Sequence, residues 1–154
     1  METTDISKNV SFTGHRSGRI SQPLSWLYAD MVSEIKRLYS FGYRNFFSGM
    51  AEGGDLIFAK AVAAVKKEYT DMKLIAVIPF RNQSGYYTMK YKTLYQQILR
   101  EADKTVVLSE SYYKGCFHRR NDYLTDYAEV ILAYWDKRPY GGTYYTIGKA
   151  QMLN

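Results

Sequence analysis

Short apolar runs alternate along the chain with longer stretches in which apolar residues return every three or four positions. That alternation is the pattern of an α/β protein built on a parallel sheet. Val10, Ser11, Phe12 and Thr13 read as a first strand, stopped by Gly14. Pro23 falls where a first helical turn tolerates proline, and Leu24, Leu27, Met31, Ile35 and Leu38 recur at helical spacing up to a stop at Gly42. Residues 43–47 form a second strand. From Asp55, the apolar positions Leu56, Ala59, Val62, Ala63 and Val65 make a helix ending near Tyr69. Residues 74–78 are continuously apolar, as expected of a strand covered on both faces, and Pro79 closes it. A polar loop over 81–85 precedes a tyrosine-rich helix over 87–100, and 105–108 is the fourth strand. A loop over 109–116 leads into a helix through Arg120, Tyr123, Leu124 and Tyr127. Residues 130–134 are the fifth strand, after which Gly141, Gly142 and Thr143 open a last helical segment. The expected fold is a doubly wound, mostly parallel α/β sheet of about five to six strands with helices on both faces. It forms one domain over 1–154, shortened at its C-terminus or lacking an edge strand, because a doubly wound domain ordinarily continues such a helix into another strand.

Composition adds a few bounds. With 154 residues, 46% hydrophobic and 23% charged, the chain can bury a real core and is not disordered. The sixteen tyrosines suit a core, an aromatic ligand wall or a homodimer contact about equally. A net charge of +6 biases the surface toward anionic partners, although the basic residues are scattered among acids. One cysteine, Cys116, excludes an internal disulfide and a cysteine-cluster metal site, which fits a reducing cytoplasm; no metal and no cofactor are expected. The first residues are acidic and polar, unlike a signal peptide, and no apolar run approaches a membrane span, so no membrane partner is expected.

The candidate chemistry lies where an open parallel sheet binds its ligands, at the carboxyl ends of the strands. Strand one is followed by Gly14, His15 and Arg16, and strand two by a glycine-rich turn of Ser48, Gly49, Met50, Ala51, Glu52, Gly53, Gly54 and Asp55. Backbone amides at a turn that opens a helix attract phosphate, and glycine lets the backbone approach it. The same turn also suits a plain strand-to-helix junction with Asp55 serving the helix start. Pro79 and Phe80 follow strand three, Asp136 follows strand five, and Gly141, Gly142 and Thr143 come next. Arg120 and Asn121 belong to the helix before strand five; guanidinium grips phosphate bidentately, although a surface cluster has the same sequence. His15 with Arg16 fits a phosphate contact or an exposed pair, and Thr143 fits a simple helix cap.

Taken together, these segments resemble the YpsA-like branch of the SLOG superfamily, a Rossmann-like group that includes the LOG phosphoribohydrolases and the DprA proteins. The resemblance covers nearly the whole chain and rests on the pattern Ser-Gly-x-Ala-x-Gly-x-Asp, met by Ser48, Gly49, Ala51, Gly53 and Asp55. The Thr-Gly-His-Arg segment at Thr13, the pair Arg120 and Asn121 before a helix and strand, and Gly142, Thr143, Thr146 and Ala150 add to it. The resemblance implies a nucleotide or nucleotide-derived ligand, with phosphate on the amides of residues 49–54 and 141–143 and with Arg120 as a phosphate or ribose contact.

Turnover is a separate question. Cleaving an N-glycosidic bond requires a carboxylate near the anomeric carbon. LOG enzymes carry it just after their second glycine motif, whereas Tyr144, Tyr145 and Thr146 stand there in this chain. The acids that can reach the rim are Glu52, Asp55 and Asp136, of which Asp55 suits a structural place and Glu52 and Asp136 are the catalytic candidates. A nucleotide-binding or sensor domain is therefore the leading expectation, followed by a nucleotide N-glycosidase with a displaced carboxylate. A DprA-like single-strand DNA binder ranks third: Tyr87, Tyr91 and Tyr95 can stack on bases, but with Leu94 and Ile98 they also form one apolar helix face, which suits packing better.

Overall fold

A computed structural model describes residues 5–136 and 145–147. The order is β1 (Asn9–Thr13), α1 (Leu24–Ser40), β2 (Asn45–Ser48), α2 (Gly54–Val65), β3 (Lys73–Ile78), α3 (Met89–Glu101), β4 (Lys104–Val107), α4 (Cys116–Asp126) and β5 (Val130–Ala133). The five strands form one parallel sheet in the order β4-β3-β2-β1-β5. The fold is the expected Rossmann-like α/β sheet. Gly141, Gly142 and Thr143 lie outside the described residues.

Periodicity explains the elements. In α1, Leu27, Met31, Ile35 and Leu38 are the buried positions, which makes one apolar stripe. Helix α2 differs, because ten of its twelve residues are buried. It packs on β1, β2 and β3 and is flanked by α1 and α3, so it has almost no polar face to keep. Phe58 of α2 stacks on Phe12 of β1 with ring centroids 4.6 Å apart. Strand alternation sends Val10, Phe12, Phe46, Leu74, Ala76 and Ile78 into this core. On the opposite face Phe47, Ile75 and Val77 meet Leu124 of α4. That face is more polar at β1, where the Ser11 hydroxyl donates to the Leu124 carbonyl at 2.7 Å.

Element ends differ from the sequence reading for local reasons. Strand β2 begins at Asn45 rather than at residue 43, because the Tyr43 amide is taken by the Leu38 carbonyl at the end of α1. Helix α3 begins at Met89 rather than at residue 87, since residues 83–86 already form a 3-10 turn. Tyr91, Tyr95 and Ile98 are buried in the core and Tyr87 and Leu94 pack against it, so the tyrosine face of this helix is a packing face. Among the described residues, no helix is long and apolar enough to cross a membrane.

Helices α1, α2 and α3 connect successive strands on one face, while α4 returns on the other to place β5 beside β1. The winding direction therefore reverses between β1 and β5. In an open parallel sheet such a reversal opens a crevice at the carboxyl ends of the strands.

Candidate functional site

The crevice holds a cavity of about 310 Å³ lined by Thr13, Gly14, His15, Arg16, Arg19, Ala51, Asp55, Phe117, His118, Arg120 and Asn121. Six of these, Gly14, His15, Arg16, Asp55, Arg120 and Asn121, are sequence-predicted site residues. Thr13 and Ala51 belong to the Thr-Gly-His-Arg and Ser-Gly-x-Ala-x-Gly-x-Asp segments, whereas Arg19, Phe117 and His118 had no motif to mark them. Arg19 ends a short 3-10 turn in the loop after β1, and Phe117 and His118 precede Arg120 on α4 in a stretch that reads as an ordinary polar helix.

Arg120 is the central charge. It is 5% exposed, donates from Nη1 to the Gly49 carbonyl at 2.7 Å and from Nε to Asn121 Oδ1 at 2.9 Å, and lies 5.7 Å from the Phe117 ring centroid. Gly49 has to be small here, since a Cβ would stand 2.7 Å from Arg120 Cδ. Burial pulls the Arg120 pKa down, opposed by the Asp55 carboxylate. Asp55 is likewise buried, and desolvation raises its pKa to about 6 although Arg120 pulls the other way. Its Oδ2 accepts from the Ala51 amide at 3.4 Å, and its Oδ1 has no hydrogen-bond partner among the described residues. Arg16 reaches the same space from the loop after β1, with its guanidinium 5.5 Å from the centroid of Phe117.

His15 is buried rather than exposed. Its Nε2 accepts the Asp136 amide at 2.7 Å, which bridges the ends of β1 and β5. The Asp136 carboxylate is gripped by Arg19, with Nε to Oδ2 at 2.9 Å and Nη2 to Oδ1 at 2.6 Å. This clasp holds Asp136 as an ion-pair partner of a residue that lines the cavity.

The glycine-rich turn is arranged differently from a simple phosphate cradle. The Gly54 amide donates to the His15 carbonyl at 2.9 Å, the Met50 amide to Ser48 Oγ at 3.2 Å, and the Ala51 amide to Asp55. Gly53 has φ +99°, and a Cβ there would lie 2.5 Å from the Ser17 amide nitrogen. Its smallness serves the approach of the neighbouring loop. Glu52 completes the junction, with Oε1 2.7 Å from the Ser17 amide and Oε2 2.7 Å from Ser17 Oγ. The loops after β1 and β2 are thus fastened together, and the turn reaches the cavity through Ala51 and Asp55. Ser48, Gly49, Met50, Gly53, Gly54 and Pro79 are not among the residues that line it. Phe80 lines a neighbouring cavity together with Glu52.

Residues 145–147 are helical, and the Tyr145 ring stacks on His118 of the cavity wall with centroids 4.4 Å apart. The Tyr145 hydroxyl donates to Asp122 at 2.9 Å.

The model of the YspA SLOG family matches residues 11–154. UPF0398 protein YpsA of Bacillus subtilis (strain 168) is 27% identical over 101 residues, which cover 64% of this chain and 56% of that protein. The uncharacterized SPbeta prophage-derived protein YoqJ of the same strain is 26% identical over 103 residues, covering 59% of this chain and 60% of YoqJ. The chain spans little more than half the length of these two relatives. The X-ray structure of TM1055 superposes with a TM-score of 0.59 at 18% identity, over 95% of this chain and 69% of TM1055, a likeness of fold.

Proposed function

The chain belongs to the YspA SLOG family, and from that premise we propose that its crevice binds a nucleotide or nucleotide-derived molecule by the phosphate. The observation that carries this reading is the buried guanidinium of Arg120 on the cavity wall, joined there by Arg16 and Arg19. A buried arginine is held at a large desolvation penalty, offset here by the nearby Asp55 carboxylate and by its bonds to Gly49 and Asn121. An anion brought into the cavity gains charge-assisted hydrogen bonds in a place screened from water. In this reading the side chains supply most of the positive field, and the amides of the glycine turn stabilise the wall. A homodimer remains compatible with the exposed aromatic surface, and single-stranded DNA is the less favoured ligand because the α3 tyrosines are packed inward.

The test is isothermal calorimetry and thermal shift with nucleoside monophosphates, NAD and ADP-ribose. Saturable binding that Arg16→Ala weakens at least tenfold supports the proposal; Arg16 is exposed, so its loss leaves the fold intact. Absence of heat and of any melting shift with the whole panel removes it.

Hydrolysis of an N-glycosidic bond is a second reading, favoured by Asp55. A carboxyl group in the cavity wall with a pKa raised to about 6 can hold or accept a proton near neutral pH. Glu52 and Asp136 are bound to Ser17 and Arg19, so Asp55 is the acid best placed for the role. Release of free base from a nucleoside monophosphate, lost in Asp55→Asn, is the outcome this reading requires.

A further inference from the structure

Beside the anion cavity the loops after β3 and β4 enclose a second cavity, of about 690 Å³, and Arg16 and Phe117 belong to the walls of both. The chemistry of the second is different. Phe80 meets Tyr112 and Phe117 edge to face, with centroids 5.5 and 6.0 Å apart. Tyr112 is 62% exposed, so this cluster turns aromatic surface to solvent instead of filling a core. Glu52 and Glu110 stand in the same wall. Glu110 is paired with Arg81 at 2.7 and 2.8 Å and Arg16 shares the wall with Glu52, so the lining carries little net charge and suits an uncharged group.

Gln83 supplies the decisive polar feature. It is 5% exposed and lines this cavity; its Nε2 donates to the Gly49 carbonyl at 3.0 Å, while its Oε1 has no hydrogen-bond partner among the described residues. A carbonyl only accepts, so Gly49 sets the orientation of the amide, and the orphaned atom is an acceptor. A buried acceptor without a donor is unfavourable unless a ligand completes it.

We infer that the aromatic cavity is a nucleobase subsite, in which the base packs against the Phe80 and Tyr112 rings, face to one and edge to the other, and donates an N–H to Gln83. This inference rests on the phosphate reading of the neighbouring cavity. Arg16, over Phe117 between the two, lies where ribose joins base to phosphate. Such a site prefers bases with an N–H edge, such as the amino edge of adenine or cytosine.

Calorimetry on the full chain with ribose 5-phosphate, AMP, GMP, CMP and purine riboside 5′-monophosphate tests it. The best of the three natural nucleotides is expected to bind at least about tenfold more tightly than ribose 5-phosphate, the scale of one stacked base. Purine riboside 5′-monophosphate, which has the rings but no N–H donor, is expected to fall about tenfold below the best nucleotide. Phe80→Ala should bring the nucleotides down to the level of ribose 5-phosphate and leave ribose 5-phosphate unchanged. Tyr112→Ala, at an exposed position that the fold does not need, should shift them the same way. Equal affinity for ribose 5-phosphate and all nucleotides overturns the base subsite and leaves the phosphate site standing. No binding of any probe overturns the base subsite, and the phosphate reading falls with it when NAD and ADP-ribose are silent too; equal binding of purine riboside 5′-monophosphate overturns the role of Gln83.

Discussion

The loops after β1 and β2 lock onto each other, whereas the loops after β3 and β4 hold aromatic rings out toward solvent. In the first half, Glu52 binds Ser17, Gly54 binds the His15 carbonyl, and Gly53 admits a neighbouring backbone at contact distance. In the second half, Tyr86 is fully exposed and Tyr112 is 62% exposed. The locked half fixes the positions of charges, since Arg120, Asp55 and Arg16 act only if the distances between them are held. The aromatic half offers surface, which tolerates adjustment because stacking depends less on direction than a hydrogen bond does. A molecule with a charged end and a flat end matches that division.

Substitutions can break this contrast, and Gly53→Val should do so most. It forces a β-branched residue into φ +99° and drives a Cβ toward the Ser17 backbone, so a loss of about 3–5 kcal/mol is expected in urea denaturation. Near wild-type stability would show that the two loops are not locked at this point.

Arg120→Ala comes next, with an expected loss of about 2–4 kcal/mol together with anion binding. From sequence alone this residue looks like a rim cation whose removal spares the fold, but its bond to Gly49 and its burial give it a structural share. Loss of binding with an unchanged melting temperature would restore the simpler view.

Asp55 ties the locked half to pH. Burial raises its pKa from 3.8 to about 6, so the native chain holds the proton more tightly than the unfolded chain. Its contribution to stability is therefore fully present below pH 3.8 and is lost as pH rises through about 6. On the order of 2–3 kcal/mol should disappear across that window, and Asp55→Asn should flatten this part of the profile. A variant whose stability keeps the wild-type slope between these pH values would assign the titration to another group.

The smallest effects should separate the halves most directly. Glu52→Gln weakens charge-assisted bonds to Ser17 and should lower stability by about 1 kcal/mol, whereas Tyr86→Ala should change it by less than about 0.5 kcal/mol. Comparable losses in both would mean that the aromatic half is built into the fold as firmly as the other.

Local pattern was enough for much of this. The spacing of Leu27, Met31, Ile35 and Leu38 marks a helix because burial of one stripe repeats with the helical turn. The continuous run at β3 marks a strand covered on both faces, as found. Gly14, Arg16, Asp55 and Arg120 could be assigned to one rim because parallel strands all point their carboxyl ends the same way.

Pairing across the sheet had no such local signature. Glu52 meets Ser17 across 35 positions and Arg120 meets Gly49 across 71, and nothing in the neighbouring sequence announces either partner. The chain by itself determined which segments become strands and helices, and that charge and glycine gather at their ends. Only tertiary structure decided that the Gly54 amide is turned to the loop after β1, that Asp136 belongs to Arg19, and that Gln83 is left with an orphaned oxygen. The reason is physical: secondary structure follows short-range periodicity, whereas hydrogen-bond and charge partners are chosen by which loops the sheet brings within about 3 Å of each other.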